Sequence, residues 1–121
     1  MLNNVILVVD DEANIRETIA FILEMEGFDV ILASDGEEAI TQLKTYKPKF
    51  MILDVMMPKK NGYDVAREIR KDDDFKDLYI LILTAKGQSV DEQDAINAGA
   101  NNYMTKPFDD DKILKLIRDN F

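Results

Sequence analysis

The sequence contains no cysteine and no histidine. The first absence excludes disulfides, thiol nucleophiles and thiolate metal sites, and it fits a cytoplasmic setting. The second excludes a Ser-His-Asp triad, an imidazole general base and an ordinary zinc site. No apolar run approaches the roughly 20 residues that a membrane-spanning helix requires. Met1-Leu2-Asn3-Asn4 lacks the basic flank and long apolar stretch of a signal peptide. Positive charge is scarce, with 15 Lys and Arg against 24 Asp and Glu and a formal net charge of −9. A nucleic-acid backbone would be repelled by most of such a surface, which argues against direct nucleic-acid binding. Carboxylates, lysine and hydroxyls are left to carry any chemistry, and carboxylates favour hard divalent cations such as Mg²⁺ or Mn²⁺.

At 121 residues, 46% hydrophobic and 32% charged, the chain has the size and composition of one globular domain spanning 1–121. Apolar runs alternate with amphipathic stretches. Val5–Val9 is a continuous, mostly β-branched run that suits a strand buried on both faces. Ile15, Ile19, Ile22 and Leu23 fall at helical spacing within Ala13–Met25, and Gly27 stops that helix. Val30–Ala33 reads as a second strand. Asp35 resembles an N-cap with Glu38 at the third helical position, and Pro48 punctuates the end of the helix it opens. Phe50–Leu53 is a third apolar run, followed directly by Asp54. Pro58–Gly62 is turn chemistry before a helix marked by Val65, Ala66 and Ile69. Tyr79–Leu83 forms a fourth strand ending at Thr84. Ser89 to Glu92 fits a capping box for a helix with a sparse apolar face. Asn102–Thr105 is a short fifth strand, and Asp109 opens a last helix with Ile113, Leu114, Leu116 and Ile117. Five strands alternating with five helices predict a doubly wound parallel sheet covered on both faces.

In such a sheet the C-terminal strand ends share one edge, where ligands bind at the reversal of strand order. Strand one ends in Asp10-Asp11-Glu12, strand three in Asp54, strand four in Thr84 and strand five in Lys106-Pro107. Each has a plain structural reading: Asp11 as a helix cap, Thr84 as a turn residue, Lys106 as a surface charge. Together they place an acidic pair, a lone carboxylate, a hydroxyl and an ammonium on one patch. Clustered carboxylates repel unless a cation enters, and an oxygen-liganded Mg²⁺ suits them. A carboxylate can also attack a phosphoryl group to form an aspartyl phosphate. That transfer needs positioning and charge neutralisation above all, which the metal, Lys106, the Thr84 hydroxyl and backbone N–H groups after Asp54 would supply.

The VVDDE run (Val8–Glu12), the LDVMMPKKNG segment (Leu53–Gly62), the LTA segment (Leu83–Ala85) and the GANNYMTKPF segment (Gly99–Phe108) together resemble the response-regulator receiver domain of two-component signalling. The resemblance implies the flavodoxin-like strand order 2-1-3-4-5 and phosphorylation at Asp54. It implies Mg²⁺ held by Asp11, Asp54 and the Met56 carbonyl, with Asp10 acting through a metal-bound water. It places Thr84, Ala85 and Lys106 at the phosphoryl group and a cis bond between Lys106 and Pro107. Thr84 and Tyr103 would form the switch, by a phosphorylation-driven population shift, although Tyr103 also reads as a packed core aromatic. The partners implied are a histidine kinase or phosphotransfer protein and a downstream output protein or domain. A homodimer could form through the face of the fourth helix, fifth strand and fifth helix. The implied role is a signalling switch that catalyses only its own phosphorylation and dephosphorylation.

Two rival classes fit less well. An aspartate-nucleophile phosphohydrolase of the haloacid dehalogenase type needs a second carboxylate two residues after the nucleophile, where this chain has Met56. A flavodoxin-like nucleotide or flavin binder wants a glycine-rich loop after strand one, where this chain has Asp10-Asp11-Glu12.

Overall fold

A computed structural model of the chain describes residues 4–57, 60–85, 92–106 and 109–120. The strands are β1 (Val5–Val9), β2 (Asp29–Ala33), β3 (Phe50–Asp54), β4 (Tyr79–Ala85) and β5 (Asn102–Lys106). The helices are α1 (Ala13–Met25), α2 (Gly36–Tyr46), α3 (Gly62–Arg70), α4 (Glu92–Asn97) and α5 (Asp110–Asp119), with a 3-10 turn at Asp73–Phe75. All strand pairs are parallel, in the order β2-β1-β3-β4-β5. The fold class and strand order are those expected from the sequence.

The central strands are the most apolar because they are covered twice. Ile6, Leu7, Val8, Val9 and Phe50–Leu53 are all buried, and alternation along each strand sends their side chains to opposite faces. One core contains Leu7, Val9, Met51, Leu53, Ile80 and Ile82 with Ala39 and Leu43 of α2 and Val65, Ala66 and Ile69 of α3. The other contains Ile6, Val8, Ile52, Leu81 and Leu83 with Ile19 and Leu23 of α1 and Ile113, Leu114 and Ile117 of α5. Each fully buried Ile or Leu contributes about 1.5–3 kcal/mol relative to exposure. This two-sided burial holds the strands in register and therefore fixes what stands at their ends.

Helix starts follow the expected cap chemistry at Asp35 and Asp109, and Asn61 supplies a third cap. The Asp35 carboxylate accepts from the Glu38 N–H at 2.8 Å, while Glu38 accepts from the Ser34 N–H at 3.2 Å, a reach-back one residue longer than a standard capping box. Asn61 caps α3 by accepting from the Asp64 N–H, and Asp109 caps α5 by accepting from the Asp111 N–H. The structural reading of Asp11 as the cap of α1 does not hold: the N-cap is Glu12, with no side-chain cap bond. The Asp10 carboxylate instead accepts from the Glu12 N–H at 2.9 Å, so Asp11 is left exposed. Strands β3, β4 and β5 run on through Asp54, Ala85 and Lys106, because the ladders Asp54↔Leu83, Thr84↔Thr105 and Ala85↔Lys106 continue. The Ser89 capping box and Pro58 lie outside the described residues.

Gly62 sets the position of α3 beneath the end of β3. Its N–H donates to the Val55 carbonyl at 2.8 Å. A Cβ on Gly62 would lie 2.4 Å from the Asp54 carbonyl oxygen and 3.0 Å from Val55 Cα, both rigid backbone atoms. Gly62→Ala therefore forces β3 and α3 apart. The expected loss is about 1–3 kcal/mol, read as a lower urea midpoint at unchanged slope; an unaltered midpoint would show that this close approach is not required.

Candidate functional site

The C-terminal edge of the sheet gathers the residues picked out by sequence. Among the described residues, the buried polar side chains are Asp10 at 1%, Asp54 at 4% and Thr84 at 2% exposure, and all three belong to this edge. Burial of a carboxylate is costly unless it is paired. The pairing comes from Lys106, whose Nζ donates to Asp10 Oδ2 at 2.9 Å and to Asp54 Oδ1 at 3.0 Å. One ammonium thus ties together the ends of β1, β3 and β5. Arg16 of α1 supports the same end of β1 by donating to the Asp10 carbonyl at 2.7 Å.

Electrostatics leave Asp54 poised. Burial foremost, then the neighbouring Asp10 carboxylate, push its pKa up from the ordinary 3.8 to about 6. The hydrogen bond and charge of Lys106 act in the opposite direction without cancelling these effects, and Asp11 adds a smaller upward push. Burial disfavours the charged form of Lys106, but its hydrogen bonds to Asp10 and Asp54 outweigh this and raise its pKa. Lys106 is therefore a fixed cation.

Asp10, Asp11 and Glu12 each offer a carboxylate oxygen, and these atoms lie within 4.8 Å of one another. They form an all-oxygen donor group of the kind hard cations take. Glu12 was not in the ligand set inferred from sequence; its only signal was as the third member of an acidic run. Asp54 adjoins this group through their shared neighbour Lys106. Met56 is 61% exposed in the connection after β3. Thr84 Oγ1 donates to the Met104 carbonyl at 3.5 Å, the long limit of a hydrogen bond, so its hydroxyl is only weakly engaged. Ala85 stands opposite Lys106 in the ladder. Tyr103 is half-buried, opposite Ile82, and packs against the core on the α2 and α3 side of the sheet. Pro107, and with it the expected cis bond, lies outside the described residues.

The raised pKa of Asp54 has a stability consequence. The folded state binds the Asp54 proton more tightly than the unfolded state, so the stabilising effect is full below about pH 4 and is lost as pH rises through about 6. Above that, ionised Asp54 costs on the order of 3 kcal/mol. Asp54→Asn removes this cost and leaves Lys106 paired with Asp10. The variant should be more stable than the parent by about 1–3 kcal/mol at pH 7.5, with the gap closing by about pH 4. Urea denaturation at the two pH values measures it; a destabilised variant at pH 7.5 would contradict the assignment.

Comparison with known proteins agrees with this geometry. The family model described as "Response regulator receiver domain" matches residues 6–118. The chain is 46% identical over 108 residues to the alkaline phosphatase synthesis transcriptional regulatory protein PhoP of Bacillus subtilis, covering 88% of this chain and 44% of that protein. It is 36% identical over 118 residues to the phosphate regulon transcriptional regulatory protein PhoB of Pseudomonas aeruginosa, covering 98% of this chain and 52% of that protein. The chain thus spans about half the length of these relatives. Among solved structures, chemotaxis protein CheY4 of Vibrio cholerae superposes with a TM-score of 0.91 at 28% identity, over 99% of this chain and 100% of that one. A response regulator receiver protein from Pseudomonas putida gives a TM-score of 0.90 at 29% identity, over 98% of each chain. With a matching family model over nearly its whole length and a shared architecture, the chain belongs to the response regulator receiver domain family.

Proposed function

We propose that the chain is a phosphoacceptor switch in which Asp54 takes a phosphoryl group from a phosphohistidine. The observation that carries this reading is the Lys106 bridge between two buried carboxylates at the strand ends. A carboxylate oxygen of Asp54 attacks phosphorus; the P–O bond forms as the P–N bond to the donor imidazole breaks, and the imidazole leaves with the bonding pair. This chain has no histidine, so the donor is a histidine kinase or phosphotransfer protein. At neutral pH Asp54, with a pKa of about 6, is ionised and nucleophilic. Lys106 is placed to move from two carboxylates to one carboxylate and a phosphoryl oxygen, keeping the local charge balanced.

The donor set fits a divalent cation of the Mg²⁺ or Mn²⁺ kind, held by Asp10, Asp11 and Asp54 with the Met56 carbonyl, and with Glu12 within reach of the first two. When bound, such an ion neutralises negative charge between the carboxylates and the phosphoryl oxygens. The Thr84 hydroxyl, loosely held by the Met104 carbonyl, then has a stronger acceptor in the phosphoryl oxygens, beside the Ala85 backbone. As Thr84 turns, Tyr103 moves inward behind it, and the surface of α4, β5 and α5 changes shape. That surface is the proposed route to an output protein or domain, and the place where a homodimer would form.

The named relatives are transcriptional regulators. The expectation of no direct nucleic-acid contact therefore concerns these 121 residues and extends to no longer protein. No helix among the described residues is long and apolar enough to cross a membrane; a cytoplasmic location is part of the proposal.

The test is intact mass spectrometry after incubation with acetyl phosphate. A single phosphoryl adduct is expected on the parent with Mg²⁺, none with a chelator and none on Asp54→Asn. An adduct that persists in the variant would move the acceptor elsewhere. Failure with acetyl phosphate, a phosphohistidine donor and beryllium fluoride alike would overturn the phosphoacceptor reading.

A further inference from the structure

The opposite end of the same elements carries a second constellation that the phosphoacceptor chemistry does not use. Arg70, the last residue of α3, is half-buried, and its guanidinium joins two separate stretches of chain. Nε donates to the Gly99 carbonyl at 2.8 Å and Nη2 to Asn101 Oδ1 at 2.7 Å. Nη1 donates to the Phe75 carbonyl at 2.8 Å and to the Lys76 carbonyl at 3.3 Å. The acceptors therefore lie in the connection from α3 to β4 and in the turn from α4 to β5. Charge-assisted bonds from a planar fork of this kind are strong and directional.

The turn that Arg70 grips is built to be gripped. Gly99 has φ +98°, a left-handed conformation that a Cβ disfavours. Its N–H donates to the Ile96 carbonyl, and the Ala100 N–H donates to the Ala95 carbonyl, which is the paired bond pattern of a Schellman C-cap. A Cβ at Gly99 would come within 2.6 Å of Arg70 Cγ, so the turn lies directly on the arginine stem. Asn101 carries the grip into the sheet. Its Oδ1 also accepts from the Ile80 N–H at 2.8 Å, and its own N–H donates to the Ile80 carbonyl at 2.9 Å. Arg70, Asn101 and Ile80 thus lock the start of β5 against the start of β4.

By contrast α4 itself is held lightly. It has six residues. Ala95 is buried and Ile96 is 50% exposed, with Ala98 the other small buried contact just past its end. A crossover helix runs back from the C-terminal edge of the sheet. The start of α4 therefore faces the edge that holds Asp54 and Thr84, and its end faces Arg70. We infer that Arg70 is the fixed pivot of the α4 segment: it pins the C-terminal end of the helix to α3 and confines any displacement driven from the phosphoacceptor edge to the opposite end. The pivot role rests on the phosphoacceptor reading. The clasp itself is a property of the resting protein and is tested separately.

Peptide-level hydrogen exchange on the parent, Arg70→Met and Arg70→Lys, each with and without Mg²⁺ and beryllium fluoride, decides both. Without beryllium fluoride, Arg70→Met should exchange the amides of residues 98–101 and Ile80 about tenfold faster or more. Amides of β1 and β3 should keep their parental rates, and Arg70→Lys, with charge but no fork, should fall between. With beryllium fluoride, the parent should change upstream of Ala95 and stay unchanged from Gly99 to Asn101, whereas in Arg70→Met the change should spread through that turn. Equal resting exchange in all three proteins would overturn the clasp. A parent whose response already runs through residues 99–101 would overturn the pivot while leaving the phosphoacceptor reading intact. No beryllium fluoride effect in the parent would overturn the pivot together with that reading, and the resting comparison would still decide the clasp. Loss of protection throughout Arg70→Met would leave Arg70→Lys as the decisive variant, where parental exchange contradicts the proposal.

Discussion

Two carboxylates are buried at adjacent strand ends, and a single ammonium stands between them. Asp10 and Asp54 are each almost fully covered, and Lys106 reaches both at about hydrogen-bond distance. Two buried negative charges with one positive charge leave the cluster one unit negative. Burial first, and then the neighbouring Asp10 carboxylate, keep Asp54 reluctant to ionise in spite of Lys106. In the proposed function, a divalent cation and a phosphoryl group would each change this balance. In that reading, ligand chemistry and conformational equilibrium are tied together at this site.

The rest of the fold serves to hold that imbalance in place. The three residues of the bridge stand at the ends of β1, β3 and β5, and their spacing is a property of sheet register rather than of any local turn. Register in turn depends on two-sided burial of the Val, Ile and Leu runs in β1, β3 and β4. Gly62 lets α3 start directly against the backbone of Asp54 and Val55. Arg70 at the other end of α3 holds the turn before β5, the strand that carries Lys106. One short helix is thereby linked both to the end of β3 at Asp54 and to the strand that carries Lys106.

Much of this was legible in the sequence, for identifiable reasons. Apolar runs of β-branched residues separated by amphipathic stretches leave little choice but a covered parallel sheet, and that topology brings Asp10, Asp54, Thr84 and Lys106 to one edge without further assumption. Helix caps at Asp35 and Asp109 followed local spacing, whereas the cap at Asn61 was hidden in the turn chemistry of Pro58–Gly62. Asp11 did not, because the choice of cap was decided by Asp10, whose carboxylate turns to the Glu12 N–H while staying within reach of Lys106. The double engagement of Lys106 was also hidden: a lysine at a strand end reads as a surface charge until a partner strand supplies two acceptors. Arg16 and Arg70 were missed for a related reason. Both donate to backbone carbonyls, acceptors that every residue has and that no sequence pattern marks.

The central claim is that Asp54 is held near its ionisation point by burial beside Asp10 and kept from rising further by Lys106. Carbon-13 NMR of the side-chain carboxyl carbons, followed through a pH titration of the parent and of Lys106→Met, measures this directly. The account predicts an Asp54 titration near pH 6 in the parent and a higher one in the variant, where two carboxylates face each other without the ammonium. An Asp54 that titrates near 4 in the parent, or that does not move when Lys106 is replaced, would contradict it.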